Sequence, residues 1–241
     1  VFNSLQSNNE SAASGGNSGD SVENIRQNTL SNISTQLRNV TADDYLVRAL
    51  SLPSDYGTIS KVYAIPTQIG DTTQGEIPSV LDLYVLTVDS SKKLKTTSNN
   101  LKQNLRTYLS EYRMINDSVT IKDAFIINIG VDFEIIVRPG FNNNDVLNNC
   151  VDQLKLFFNT DNFEINEPII FSDLFPLLDR VDGVQTVKNI QIVNKEGGLY
   201  SNFAYDIEGA TIDRVIYPSI DPMIFEVKYP DDDIRGKVVP L

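Results

Sequence analysis

The residues of this chain with the most chemical potential are three consecutive carboxylates, Asp231, Asp232 and Asp233. Clustered carboxylate oxygens can hold a hard cation such as Ca²⁺, and a pair of acids can cleave a glycosidic bond. However, adjacent side chains of an extended segment point to opposite sides, which separates these oxygens. The position directly after Pro230 therefore favours a solvated acidic turn over a shared metal or catalytic site.

Missing residue types restrict the remaining chemistry. The 241-residue chain contains no histidine, which excludes Ser-His-Asp triads, Cys-His pairs and zinc sites with a histidine ligand. Its single cysteine, Cys150, excludes an internal disulfide and iron–sulfur clusters, and it lies in an apolar helical pattern that predicts a buried thiol. Neither GxGxxG nor GxxxxGK[ST] occurs. The sequence thus predicts no catalytic residue, no cofactor and no metal ion.

The charge of the chain bears on its partners. Twenty Lys and Arg against 32 Asp and Glu give a formal net charge of -12, which repels a nucleic-acid backbone unless basic residues gather on one face. The dense basic cluster of Lys92, Lys93 and Lys95 precedes a predicted helix and is interpreted as its solvated flank. No apolar run approaches the ~20 residues needed to cross a bilayer. We therefore predict neither a nucleic-acid nor a membrane partner. Because the chain begins at Val1 without a leader, we expect further chain upstream.

Aromatic residues near the C-terminus are the candidates for contact with a protein partner. Tyr200, Phe203 and Tyr205 follow a Gly-Gly turn in a segment without clear core periodicity, and Tyr217 and Phe225 lie in the short apolar runs beyond it. Aromatic side chains are enriched among the residues that dominate binding energy at interfaces. These five are our candidate partner-interface residues. A small local core made by the same rings is the alternative, and the sequence leaves both open.

The helices that position these residues are predicted from apolar stripes of helical period. Such stripes predict helices at residues 41 to 50, 98 to 113 and 145 to 158. Thr41 and Asp44 have the spacing of a capping box, and Ser172 is predicted to cap a further short helix. A short helix is also predicted from Asp20 or Ser21, after a connector at residues 3 to 20.

The strands are predicted from alternating or β-branched runs. These runs lie at residues 58 to 65, 81 to 88, 119 to 137 and 184 to 193, with small edge strands predicted within 212 to 217 and 223 to 229. Gly130, in the middle of the third run, indicates either a bend or the meeting of two strands.

This order of elements predicts an α+β protein with mixed sheets. We expect two small mixed α/β subdomains with short connecting helices and an irregular, strand-containing C-terminal extension. The predicted divisions are a connector and short helix at residues 1 to 40, a first subdomain at 41 to 125, a second at 126 to 199, and the extension at 200 to 241.

Residues 11 to 50 contain a small-residue Gly-Gly stretch, a Ser-x-Glu-x-Ile-Arg segment and an Arg-x-Val-Thr-x-x-Asp-Tyr segment. The residues at these positions are Gly15, Gly16, Ser21, Glu23, Ile25, Arg26, Arg38, Val40, Thr41, Asp44 and Tyr45. In this order they resemble the baseplate J-like family of contractile phage tails. The runs at 168 to 174 and 181 to 184 look like the later half of the family. Beyond Tyr200 the chain resembles the C-terminal part of the larger baseplate wedge ring proteins of T-even-like phages.

The resemblance implies a structural role in the virion tail baseplate, after assembly in the host cytoplasm. Members form the inner baseplate ring, pair as homodimers within that ring and contact other baseplate wedge proteins. The resemblance implies no catalytic residue at any position of this chain. From the residues alone, two alternatives stay open: a tail-associated, carboxylate-dependent glycoside hydrolase, and a glycan- or receptor-binding tail module.

Overall fold

The computed structural model describes residues 38 to 66, 81 to 114 and 117 to 240, together with Val22, Arg26 and Thr29, which are helical. The predicted connector and the rest of the predicted short helix lie outside the described residues. Helices and strands occur in similar amounts and form mixed sheets, so the predicted α+β class is confirmed.

The first half of the described chain forms one four-stranded sheet with two helices. Its elements are α1 (Ala42–Leu50), β1 (Lys61–Pro66), β2 (Leu81–Val88), β3 (Leu94–Thr96), α2 (Asn99–Ser110) and β4 (Val119–Asp123). In this sheet β2 pairs antiparallel with β1 and β3 and parallel with β4. Leu83 and Val85 of β2 pack with Leu105 and Leu109 of α2 in one hydrophobic cluster.

The predicted capping box starts α1. The Asp44 N–H donates to Thr41 Oγ1 at 3.2 Å, and the Thr41 N–H donates to Asp44 Oδ2 at 2.8 Å. Each side chain thus satisfies a backbone donor that the first helical turn leaves unpaired, which explains why the helix begins here.

The second half is built around one long strand. Its elements are β5 (Phe125–Val137), α3 (Asn143–Phe157), β6 (Ile169–Ile170), α4 (Phe171–Asp179), β7 (Val184–Asn194), α5 (Ile207–Ala210), β8 (Thr211–Ile212), β9 (Val215–Ile216), β10 (Met223–Glu226), α6 (Pro230–Asp233) and β11 (Ile234–Val238). β5 pairs antiparallel with β7, and parallel with β10 and then β11. The larger hydrophobic cluster joins β5 residues to Cys150 and Leu154 of α3 and Leu174 and Leu178 of α4.

Gly130 lies inside β5 rather than at a junction. Residues 119 to 137 do form two strands, one of the two alternatives that the sequence left open, but these meet at Ala124, between β4 and β5. A Cβ at Gly130 would lie 2.6 Å from Lys195 Cε and 3.0 Å from the Asp233 backbone oxygen. The glycine therefore permits a close approach of two neighbouring segments to β5.

One local prediction is wrong. Helix α4 begins at Phe171 with Ile170 at the N-cap, so Ser172 lies within the first turn and is not the cap. The chain passes directly from β6 into the helix because Ile170 is paired with Val215. Within the described residues β10 pairs only with β5, so it is an edge strand as predicted, although all four of its residues are buried.

Candidate functional site

Helix α6 gives the acidic run a different arrangement from the predicted solvated turn. Asp231 and Asp232 are exposed, but Asp233 is 1% exposed. The Asp233 carboxylate accepts a hydrogen bond from the Tyr200 hydroxyl at 2.6 Å and another from the Tyr229 N–H at 3.0 Å. The prediction is therefore wrong for Asp233, because a helical turn directs this side chain inward.

Two of the three carboxylates of α6 contact different lysines. Asp231 accepts a hydrogen bond from Lys155 Nζ at 2.6 Å, whereas Lys195 Nζ lies 3.9 Å from Asp233. The hydrogen bond to Asp233 raises the pKa of Tyr200 to about 12. Within the described ranges, no group of three or more Asp, Glu or Cys side chains is arranged to hold a metal ion. In the same ranges no helix has the length and apolar character needed to cross a membrane.

A second buried carboxylate, Glu226, joins separate parts of the molecule. Its Oε1 accepts the Leu94 N–H of β3 at 2.6 Å, and its Oε2 accepts from Asn128 Nδ2 of β5 at 2.7 Å. Asn128 Oδ1 in turn accepts the Ser201 N–H at 2.7 Å. Burial raises the pKa of Glu226, and the hydrogen bonds from Leu94 and Asn128 oppose that rise. This network is not predicted from the sequence, where its one signal is a glutamate within an apolar run.

The basic cluster also connects the two halves. Lys93 Nζ lies 3.8 Å from the centre of the Tyr229 ring, and Lys92 Nζ lies 3.3 Å from Asp161 Oδ2. Lys95 is exposed. Two of the three lysines thus contact groups of the second half, and no continuous basic face results from them.

A cleft of about 320 Å³ on the outer face of the β5 sheet contains two carboxylates, Asp132 and Glu134. Both project from β5, and in register they lie opposite Arg235 and Lys237 of β11. Cross-strand pairs of opposite charge are a common way to stabilise a solvated sheet face. The arrangement gives no specific support to the hydrolase alternative.

Three of the five candidate interface residues are held within the chain. Tyr200 donates to Asp233, and its ring packs edge-on against Tyr229 with centroids 5.5 Å apart. Tyr205 is half-buried and donates its hydroxyl proton to the Tyr217 backbone oxygen at 2.6 Å. Phe225 is 4% exposed and packs in the larger cluster, so its ring is not offered to a partner in this fold.

The other two candidates, Phe203 and Tyr217, are exposed at 47% and 49%. The Phe203 ring packs edge-on against Phe125, with centroids 4.9 Å apart. The Phe125 N–H donates to the Pro222 backbone oxygen at 3.0 Å, which brings the segment carrying Ile220 to the same region. Ile220 is 97% exposed. The contacting rings of Phe125 and Phe203, together with the exposed Tyr217 and Ile220 of the segment that leads to Pro222, are hereafter called the C-terminal patch.

Half of this patch is predicted from the sequence. The sequence does not single out the other two residues as exposed. Phe125 falls within a predicted strand run, and Ile220 is a single apolar residue between two prolines. Three exposed carboxylates, Asp206, Asp213 and Asp221, lie close to patch residues in the chain. The exposed Arg214 lies in the same segment, so the sequence around the patch carries charges of both signs.

No protein-family model matches the chain, and no curated protein matches it. Among solved structures, it is similar to a chain in the cryo-EM structure of the anti-feeding prophage (AFP) baseplate, 6-fold symmetrised. The TM-score is 0.54 at 15% sequence identity, and the match covers 86% of this chain. This chain spans 42% of the length of that baseplate chain. The protein therefore has a baseplate-like fold.

Proposed function

We propose that this chain is a structural, non-enzymatic subunit of a contractile-tail baseplate, of the baseplate J-like type, located in the virion tail after assembly in the host cytoplasm. It joins the inner ring by pairing with a second copy and by contacting neighbouring wedge proteins. The observation that carries the proposal is an exposed apolar patch on a chain with a baseplate-like fold.

The exposed side chains of the patch contribute little to the stability of a monomer. Ile220 is almost fully exposed and so adds nothing to the core of a monomer. Burial of a side chain such as Ile or Phe stabilises an association by about 1.5–3 kcal/mol. An apolar group of several such residues on one surface is typical of an interaction site.

The two separate hydrophobic clusters support the proposed division of the chain. One cluster surrounds β2 and α2, and the other surrounds β5, α3 and α4 and also includes Leu86 of β2, Leu94 of β3 and residues of β10 and β11. We propose that they are centred on the subdomains at 41 to 125 and 126 to 199, and that residues 200 to 241 are an extension that adds β10 and β11 to the second sheet and carries most of the patch.

Charge provides a way to separate self-association from binding to a neighbour. Two copies of a chain with a net charge of -12 repel each other, and salt screens that repulsion. Pairing of two copies through the patch should therefore strengthen as ionic strength rises. Binding to a basic wedge protein should weaken under the same change.

The proposal can be tested by sedimentation velocity of the purified chain over a range of concentration and ionic strength. Ile220→Asp should weaken self-association at least about tenfold, since it places a charge in an apolar contact and the side chain has no role in the monomer core. Leu156→Asp is the matched control, because Leu156 is an exposed apolar residue of α3 outside the patch.

A chain that stays monomeric at high concentration and also fails to bind any baseplate wedge protein would overturn the proposal. Equal weakening by Ile220→Asp and Leu156→Asp would show that association does not use the C-terminal patch.

A further inference from the structure

Among the described residues, no strand pairs with one of the two backbone edges of β4. The Leu81 N–H donates to the Ser118 backbone oxygen at 3.2 Å, so the C=O group of Ser118 points toward β2. Backbone groups of a strand alternate between its two edges, so Thr120 and Lys122 also face β2, in agreement with their parallel register. The N–H and C=O groups of Val119 and Ile121 therefore point away from β2. No hydrogen bond to them is made within the described part of the chain.

A cleft of about 440 Å³ lies along this open edge, between β4 and α2. Apolar side chains of Leu109, Val119 and Ile121 line it, together with the guanidinium groups of Arg106 and Arg113. We call this cleft the β4 groove. It shares no residue with the C-terminal patch.

The charge of the β4 groove is opposite to that of the chain as a whole. The described residues that line it include two arginines and no carboxylate, in a chain with a net charge of -12. Two acids directly adjoin lining residues in the sequence: Glu111 is exposed, and Asp117 accepts a hydrogen bond from the Tyr45 hydroxyl at 2.9 Å through its carboxylate. Arg113 donates to the Asp117 backbone oxygen at 3.0 Å, which fixes its position at the mouth of the groove.

We propose that the β4 groove binds an extended, acidic segment of another protein, which adds to the first sheet as a strand beside β4. Strand addition uses unpaired backbone groups for affinity, and side-chain contacts select the partner. Here Val119 and Ile121 supply the backbone groups, while Arg106 and Arg113 select carboxylates. This inference goes beyond the proposed function and does not depend on self-association through the C-terminal patch.

The test uses two synthetic peptides with blocked ends, each about eight residues long as an ordinary strand is. One alternates threonine with glutamate and the other alternates threonine with lysine. Threonine favours the extended conformation in both, so that only the charge differs. The full chain, labelled with ¹⁵N, is titrated with each peptide, and amide hydrogen exchange is measured with and without peptide.

We expect the glutamate peptide to bind saturably and the lysine peptide not to bind. The amide protons of Val119 and Ile121 should exchange rapidly in the free protein and become protected when the glutamate peptide binds. Those of Thr120 and Lys122 should be protected in both states. Protection of the Val119 and Ile121 amides without peptide, or equal binding of the two peptides, would overturn the proposal.

Two variants separate the charge contribution from the backbone contribution. Arg106→Glu should weaken binding of the glutamate peptide at least about threefold, as expected for loss of an exposed ion pair followed by repulsion. Arg180→Glu makes the same charge change outside the groove, on an exposed arginine, and should leave binding unchanged. An equal effect of the two substitutions would contradict the selection of carboxylates by Arg106.

Ile121→Pro removes one outward N–H without removing an N–H that bonds to β2, and proline is tolerated on such edges. Binding should weaken about threefold to tenfold, the contribution of one hydrogen bond. If this variant does not fold, the exchange pattern of the unmodified chain and the Arg106→Glu variant still decide the outcome.

Discussion

The substitutions Glu226→Gln and Asn128→Asp, made singly and together, swap the acid and the amide of the buried network. They test whether the stability of this network depends on pairing each hydrogen-bond donor with an acceptor. Two backbone N–H groups, of Leu94 and Ser201, fix the ends of this network. In Glu226→Gln the new amide group faces Asn128 Nδ2, which is also a donor. If the Asn128 amide turns over, its nitrogen faces the Ser201 N–H instead. One donor–donor contact remains in either arrangement.

The single substitutions should both destabilise the fold. Glu226→Gln leaves one buried donor without an acceptor, which costs about 1–3 kcal/mol, partly offset because a buried charge is removed. Asn128→Asp places a second carboxylate opposite Glu226, and an uncompensated buried charge costs about 3–5 kcal/mol.

The double variant should restore most of the stability. The new amide oxygen at position 226 would accept the Leu94 N–H, and the new amide nitrogen would donate to one carboxylate oxygen at position 128. The other carboxylate oxygen would accept the Ser201 N–H. All three contacts are again matched, so we expect a free energy of unfolding within about 1 kcal/mol of the original. The interaction energy between the two substitutions would then be at least about 3 kcal/mol, which is at or above the upper end for residues in contact.

Urea denaturation followed by circular dichroism measures these free energies of unfolding. Glu134→Gln is the control for loss of a glutamate charge on the outer face of β5, and it should change the free energy of unfolding by less than about 0.5 kcal/mol. If the double variant loses as much stability as the two single variants together, hydrogen-bond matching does not govern this network and the reasoning is refuted.

The same network predicts a dependence on pH. Burial raises the pKa of Glu226 above its ordinary value of 4.5, so the folded chain holds this proton more tightly than the unfolded chain. Unfolding then releases a proton, and the contribution of Glu226 to the free energy of unfolding falls as the pH rises from about 4.5 through the raised pKa. In Glu226→Gln this part of the decline should be absent, and an unchanged pH profile would contradict the assignment.

Two other buried groups give further predictions. Tyr200→Phe removes the hydroxyl that donates to the buried Asp233 carboxylate and should lower the free energy of unfolding by about 1–3 kcal/mol. The control Tyr56→Phe, at an exposed tyrosine, should change it by less than about 0.5 kcal/mol, and urea denaturation measures both values. Burial raises the pKa of Cys150 to about 11, so its thiol should react with maleimide far more slowly than in the urea-unfolded chain, and equal rates would contradict its burial in α3.

The residue pattern predicts the local elements of this fold well. The capping pair Thr41 and Asp44, the strand at 81 to 88 and the helical stripe around Leu105 all depend on residues a few positions apart. The fold class follows from their order. The prediction fails where another segment sets the bounds of an element. At Ser172, for example, the pairing of Ile170 in β6 sets the start of the helix.

The candidate site is predicted less completely. The aromatic composition of the final segment identified Phe203 and Tyr217, which the structure leaves exposed, but it did not distinguish them from Phe225, which β10 carries into the core. Similarly, Asp233 and Glu226 have the same appearance in sequence as their solvated counterparts. Which side chain is buried depends on the segments that pack over it, and those segments come from distant parts of the chain.

The sequence by itself determined which chemistry this protein lacks, since a chain without histidine and with one cysteine cannot build the sites that need them. It also determined the local elements, because capping and periodicity act between near neighbours. Only the tertiary structure decided which acids became buried links, which aromatic rings faced solvent and which strand edge has no partner among residues 38 to 66, 81 to 114 and 117 to 240. Each of these outcomes is a property of contacts between segments far apart in sequence, where the desolvation of a group is set by its partners and not by its own type.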